Sequence, residues 1–189
     1  MRTDFKIALF LLLTLALGCN MPTNKDVASR AKLTETDLIT RGKYLTTIGG
    51  CNDCHSPKVI APGGIEPDTT RLMSGHPQDE ILNPIIKTQD WLVFNNNFTA
   101  FVGPWGISYA ANLTPDDTGI RHWKFEQFET AIRKGKSKGL INNRSLLPPM
   151  PWQMYQHLTD DDLRAVFTYL KSLPPVNNLV PAPVSPEKI

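Results

Sequence analysis

Cys51-Asn52-Asp53-Cys54-His55 constrains this chain more than any other stretch, because a Cys-x-x-Cys-His run reads as a site of covalent c-type haem attachment. The two thiols are spaced to form thioethers with the two haem vinyl groups, and the adjacent imidazole can then reach the iron. A chain that carries such a group must fold around it. With three cysteines and four histidines in 189 residues, a chance run of this form is expected only about 0.001 times. Two other chemistries use similar residues. A zinc site needs a second ligand pair at comparable spacing, but the remaining cysteine is Cys19 and there is no His-x-x-x-His pair. A thioredoxin-like redox pair needs a βαβ setting, and no strand pattern precedes Cys51. One haem c, joined through Cys51 and Cys54 with His55 beside the iron, is the expected cofactor.

Haem c is attached outside the bacterial cytoplasm in the systems this motif usually belongs to, so an export signal is expected. Arg2 and Lys6 flank the start of an apolar run over residues 7–17, too short to span a bilayer but suited to a signal-peptide core. The run ends in Leu15-Ala16-Leu17-Gly18-Cys19, which resembles a bacterial lipoprotein cleavage box. On this reading residues 1–18 are a lipoprotein signal peptide and Cys19 is lipidated. No cysteine is then left for a disulfide. Acyl chains on Cys19 would hold the protein at a membrane surface without a spanning helix. Asn20 rather than Asp follows it, which by analogy with sorting in Gram-negative bacteria favours the outer membrane, facing the periplasm. An ordinary signal peptide cut nearby, or an uncleaved anchor, is the plainer alternative.

The formal net charge is +2, and losing Arg2 and Lys6 against Asp4 leaves +1. Two ionised haem propionates would bring the holoprotein to about −1. With no basic stripe this is not a nucleic-acid-binding balance, and whole-molecule steering of partners should be modest.

Residues 19–33 are polar, with Pro22, Asn24 and Lys25, and read as a flexible tether. One domain is expected over 34–176, followed by a proline-rich extended tail over 177–189. Three helices are predicted. The first spans 34–48, capped by Thr34 with Asp37 three residues on, its apolar positions being Leu38, Leu45 and Ile48 and its stop Gly49-Gly50. The second spans 124–134, with Phe125, Phe128 and Ile132 on one stripe and Gly135 as its end. The third starts at Thr159, with Asp162 completing an Asp variant of the capping box. It carries Leu163, Val166, Phe167 and Leu170 at helical spacing and stops before Pro174-Pro175. Between His55 and Lys124 lies a Gly/Pro-rich stretch too long for a plain connection. Within it Trp91 to Phe94 and Phe98 to Val102 flank Asn95-Asn96-Asn97 and resemble a short antiparallel hairpin.

The second iron ligand decides between carrier and catalyst. Met73, Met150, Met154, His76, His122 and His157 are the candidates. Met150 lies in Leu147-Pro148-Pro149-Met150-Pro151-Trp152, where prolines fix φ and can present the sulfur from a stiff loop. An isolated methionine is ordinarily a core gap-filler, but the haem motif and the proline bracket together favour Met150 as ligand. Met154, one helical turn on, is expected to pack beneath the loop. The three loop histidines are expected to be solvated.

These features together resemble class I-type bacterial monohaem cytochromes c. The branch in question has Cys-x-x-Cys-His-Thr/Ser-Pro-Lys, then Asn-Leu/Ile-Thr-Pro-Asp, then Pro-x-Met-Pro-Trp/Tyr. Here these read Cys51 to Lys58, Asn112-Leu113-Thr114-Pro115-Asp116, and Pro148 to Trp152. The resemblance covers 34–176. It implies an all-α cytochrome c fold, with helices around one covalently bound haem and a long Gly/Pro-rich insertion that carries the hairpin. It also implies that the first helix crosses the last, with Gly42, Tyr44, Phe167 and Tyr169 at the crossing, and that His55 and Met150 are the axial ligands. Relatives commonly read Gly-Ile-Gly-x-Trp where this chain has Gly119-Ile120-Arg121-His122-Trp123. Arg121 there is expected to be a solvated loop residue. Trp123, with its indole N–H donor, and Arg133 are candidates for the haem pocket.

The implied function is one-electron transfer, as a carrier or as the cytochrome subunit of a redox complex, with redox proteins as partners. It is not an enzyme in its own right on this reading. The alternative is a haem enzyme or gas sensor with an open sixth site. A structural or metal-binding module without covalent haem is a third. No Ser/His/Asp set or phosphate loop is recognisable, and helix capping accounts for the Asp160–Asp162 charge run.

Overall fold

The local signals at Thr34, Gly135 and Thr159 all end where helices end. In the computed structural model, which describes residues 33–82, 88 and 90–189, the elements run α1 (Glu35–Ile48), α2 (Cys51–His55), β1 (Lys58–Ala61), β2 (Gly64–Pro67), β3 (Val93–Phe94), β4 (Ala100–Gly103), β5 (Gly106–Tyr109), α3 (Phe125–Lys134), α4 (Trp152–Tyr155) and α5 (Asp160–Ser172). Cys19, the expected signal peptide over 1–18 and all of the expected tether but residue 33 lie outside the described residues.

Thr34 caps α1 reciprocally. Its hydroxyl accepts from the Asp37 N–H at 3.2 Å, and the Asp37 carboxylate accepts from the Thr34 N–H at 3.0 Å. At α5 the Thr159 hydroxyl accepts from the Asp162 N–H at 3.1 Å, while the Asp162 carboxylate takes the Arg41 Nε–H of α1 at 2.8 Å. Gly135 ends α3 at φ 60°, a left-handed conformation that costs glycine little.

α1 crosses α5 at Gly42. A Cβ there would fall 2.1 Å from the Ala165 carbonyl oxygen and 2.6 Å from the Tyr169 Cβ. Hence the fully buried face of α1 is Gly42 and Thr46; of the expected stripe Leu45 packs against the core while partly buried, Leu38 is partly buried, and Ile48 is 63% exposed. Tyr44, assigned to the crossing by resemblance, is exposed under the Arg41 guanidinium. Phe167 turns instead to α3, stacking on Phe128 with ring centroids 5.2 Å apart. The core collects Met73, Ile120, Phe128, Leu163, Val166, Tyr169 and Leu170, with Cys51 and Trp123 packed against it.

The expectation of an all-α fold is overturned by two antiparallel sheets, β1-β2 and β3-β4-β5. The predicted hairpin is β3-β4, with Val93 opposite Val102 and Phe94 opposite Phe101. The Asn95 side-chain oxygen shapes its turn by accepting from the Thr99 and Ala100 N–H groups. β5 then returns along β4, with Gly103 opposite Gly106. The other hairpin follows the haem motif directly, pairing Lys58 with Pro67 through Ala61 with Gly64. Val59, Ile60, Ile65, Phe94 and Phe98 leave an apolar groove between the two hairpins, where Ile60 is 93% exposed.

The chain after Pro175 is stitched into the domain. The Asn178 amide donates to the Ser74 and His76 carbonyls at 2.7 and 2.8 Å, and its oxygen accepts from the Gln78 N–H. Val184 pairs with Ile107 at the edge of β5. Asn112, from the Asn-Leu-Thr-Pro-Asp segment, binds the Val176 carbonyl and the Thr118 hydroxyl.

Candidate haem-attachment site

Gly50 at φ 67° turns the chain sharply out of α1 and into α2, where Cys51 and Cys54 lie one turn apart on a five-residue helix. Both thiols are free. Burial pushes the Cys51 thiol up to about 11 and raises that of Cys54, so both are neutral thiols. Lys58 caps the other end of α2. Its ammonium donates to the Asn52, Asp53 and Ser56 carbonyls at 3.1, 2.9 and 2.5 Å, where the helix leaves acceptors without partners. Burial lowers the Lys58 pKa.

His55 Nδ1 lies 2.8 Å from the Ala111 carbonyl oxygen. A carbonyl only accepts, so Nδ1 carries the proton and Nε2 of the neutral ring keeps its lone pair for a metal. Burial holds the imidazole pKa below its ordinary value, against the pull of the Ala111 bond. The His55 carbonyl in turn accepts from the Gly75 N–H at 2.8 Å. Two free thiols and an oriented, neutral imidazole on one short helix form a donor set that fits a c-type haem.

Segments 73–76 and 110–113 run alongside this helix. Met73 N–H donates to Ser56 Oγ, Leu113 N–H to the Met73 carbonyl, and His76 N–H to the Ala110 carbonyl. Met73 is fully buried in the core. His76 is fully buried too, contrary to the expected solvated loop: its Nδ1 meets the Thr99 hydroxyl at 2.9 Å, its ring lies 4.8 Å from that of Tyr109, and its Nε2 has no partner among the described residues. His122 and His157 are exposed as expected, His122 facing Asp117. Met154 is 71% exposed and does not pack beneath the loop. Met150 is partly buried, in a turn where its N–H reaches the Leu147 carbonyl at 3.3 Å.

α4 links that turn to the attachment helix. The Tyr155 hydroxyl donates to the Gly49 carbonyl, two residues before Cys51, and burial raises its pKa to about 12. Trp123 is partly buried against the core, and its indole N–H makes no hydrogen bond among the described residues. Arg133 is engaged elsewhere: its guanidinium donates to the Gln156 and Leu158 carbonyls and to Asp160, clamping α3 to the turn before α5. Arg121 pairs with Asp117 at the surface. Sequence reasoning missed Ala111 and Tyr155 as site residues, because a backbone carbonyl and a lone tyrosine carry no motif. Lys58 was visible only as the last letter of the attachment pattern.

No protein-family model matches the chain. It is 40% identical over 148 residues to a nicotinate dehydrogenase subunit of Pseudomonas putida, covering 77% of this chain and 9% of that protein. It is 30% identical to the gluconate 2-dehydrogenase cytochrome c subunit of Pantoea cypripedii, covering 70% and 22%. It is also 28% identical to the alcohol dehydrogenase (quinone) cytochrome c subunit of Gluconobacter oxydans, covering 75% and 23%. These similarities support the cytochrome c family. The chain spans less than a quarter of the length of each of these curated relatives.

Proposed function

We propose that the chain is a one-electron transfer module that holds one haem c through Cys51 and Cys54, with His55 and Met150 as axial ligands. It would work as the cytochrome part of a dehydrogenase complex or as a free carrier. The observation that carries this reading is the commitment of His55 Nδ1 to the Ala111 carbonyl, which leaves Nε2 for a metal beside two free thiols. When bound, the haem supplies an iron that changes valence without exchanging ligands. The protein's part is to hold the imidazole neutral and fix its tautomer.

Met150 is favoured over Met73 and His76 by its accessibility. Those two are fully buried, Met73 within the core and His76 with Nδ1 on Thr99, whereas Met150 is only partly buried in its proline-bracketed turn. Thioether sulfur favours the reduced iron and raises the potential relative to a second histidine. Trp123, with an uncommitted indole N–H, is the better of the two pocket candidates for a propionate; Arg133 makes four hydrogen bonds elsewhere.

The test is the optical spectrum of the reduced holoprotein with and without CO. An unchanged spectrum is the expected result. A CO complex would mean an open or weak sixth site and would replace this reading with catalysis or gas sensing. The proposal extends to the membrane: lipid on Cys19 would tether the module at a membrane facing the periplasm, the outer membrane favoured. Intact mass of the purified mature protein checks this through the acylated cysteine and the added mass of one haem.

A further inference from the structure

The turn around Met150 is poor in bonds of its own. Pro148, Pro149 and Pro151 have no N–H to donate, and within the segment 147–151 only the Met150 N–H to Leu147 carbonyl contact closes on itself. Its position must therefore come from outside. Among the described residues, the one side chain that hydrogen-bonds this segment is Ser108 of β5, whose hydroxyl donates to the Pro148 carbonyl at 2.6 Å. The same hydroxyl accepts from the Trp105 indole N–H at 3.2 Å, which leaves its proton free for Pro148. Ser108 is buried.

The relay stands on a stiff base. Trp105 lies against Gly103, where a Cβ would fall 2.5 Å from the ring. β5 is held on one side by β4 and on the other by the Val184 bridge, with N–H to carbonyl distances of 2.8 and 3.0 Å. Beyond the turn, the Trp152 ring fills the space beside Gly135, 2.3 Å from where a Cβ would be. The turn is thus clamped between the three-stranded sheet and the end of α3.

We propose that Ser108, oriented by Trp105, is a positioning residue for the sixth-ligand loop, so that the sheet in the long insertion serves to keep Met150 in place. This rests on Met150 being the axial ligand. Losing the Ser108 hydroxyl takes from the Pro148 carbonyl its side-chain donor and loosens the turn that presents the sulfur. A looser turn yields the sixth site more readily to an external ligand.

The experiment titrates imidazole into the oxidised holoprotein of wild type, Ser108→Ala, Ser108→Thr and Trp105→Phe, with the methionine-to-iron charge-transfer band and the reduction potential followed in parallel. Ser108→Ala should bind imidazole roughly tenfold more tightly and weaken the band. Ser108→Thr, which keeps the hydroxyl, should restore both, and Trp105→Phe should move them the same way by less. The same titration on Met150→Ala separates the two readings. If Met150→Ala leaves the band intact, Met150 is not the ligand and the premise fails. If it abolishes the band while Ser108→Ala leaves imidazole affinity and band unchanged, the positioning role alone is overturned. Should Ser108→Ala not take up haem, Trp105→Phe decides, with wild-type affinity overturning the proposal. In the Met150→Ala background, adding Ser108→Ala should no longer change imidazole affinity; a persisting tenfold effect would make Ser108 merely structural.

Discussion

His55 is partly buried and His76 fully buried, and their surroundings give the two imidazoles opposite prospects. His55 has one nitrogen bonded and the other fitted to a metal, while His76 has one nitrogen on Thr99 and the other without a partner among the described residues. Burial lowers the His76 pKa from its ordinary 6.5, the carboxylates of Glu80 and Asp79 only partly opposing it. The folded protein then resists a proton that the unfolded chain accepts, so stability falls as pH drops below the unfolded value of 6.5 and is unaffected above it. Urea unfolding across about pH 5 to 8 should show this loss, and His76→Gln should flatten it; equal slopes would assign the acid sensitivity elsewhere. At the ligand pair the expected outcome is electrochemical: Met150→His should lower the reduction potential by well over about 100 mV, read by spectroelectrochemical titration, and an unchanged potential would remove Met150 as ligand. The proposed attachment residues stand out in the sequence because their chemistry lies in five consecutive letters. The Ala111 partner of His55 was not, being 56 residues away and a backbone group. The burial of His76 was equally hidden, since Ser74-Gly75-His76-Pro77 has no period to place it inside.

α1, α3 and α5 were readable because their caps act within three or four residues, and the structure uses Thr34, Gly135 and Thr159 as the sequence suggests. α2 and α4, at five and four residues, are too short to show a period. β1 and β2 alternate poorly, with Val59, Ile60 and Ile65 all exposed, so nothing marked them as half-buried strands. β5 owes its existence to pairing with β4 and to a tail residue 77 positions on, Val184 against Ile107. Those strands turned an expected all-helical fold into a mixed one. The α1–α5 crossing was legible as a small residue between helices, but its partners were not all foreseen: Gly42 meets Ala165 and Tyr169, while Tyr44 faces solvent. Gly42→Ala should therefore destabilise the protein by about 1–3 kcal/mol through overpacking, despite the better helix propensity of alanine. Denaturant unfolding of the holoprotein checks this, and a neutral result would mean the helices can move apart without cost.

At the scale of the molecule, the tail ties together what the insertion separates. Asn178 alone satisfies two buried carbonyls, of Ser74 and His76, on the segment that also supports His55 through Gly75. Asn178→Ala should cost about 2 kcal/mol or more, because both acceptors are left buried without donors. The expected readout is a lowered unfolding midpoint with haem still attached; an unchanged midpoint would mean that water replaces the amide. The proline-rich composition of the tail suggested an extended strap, but not that one asparagine would anchor it.

Arg41 and Asp162 join α1 to α5 across 121 residues of chain. During synthesis the N-terminal helix emerges first and waits for its partner until nearly the whole domain has followed. Leu163 and Leu170, part of the core against which Cys51 packs, arrive with that partner. The order of the chain thus leaves an interval in which Cys51 lacks the core it packs against, and on the proposed function that is when haem would be joined to it.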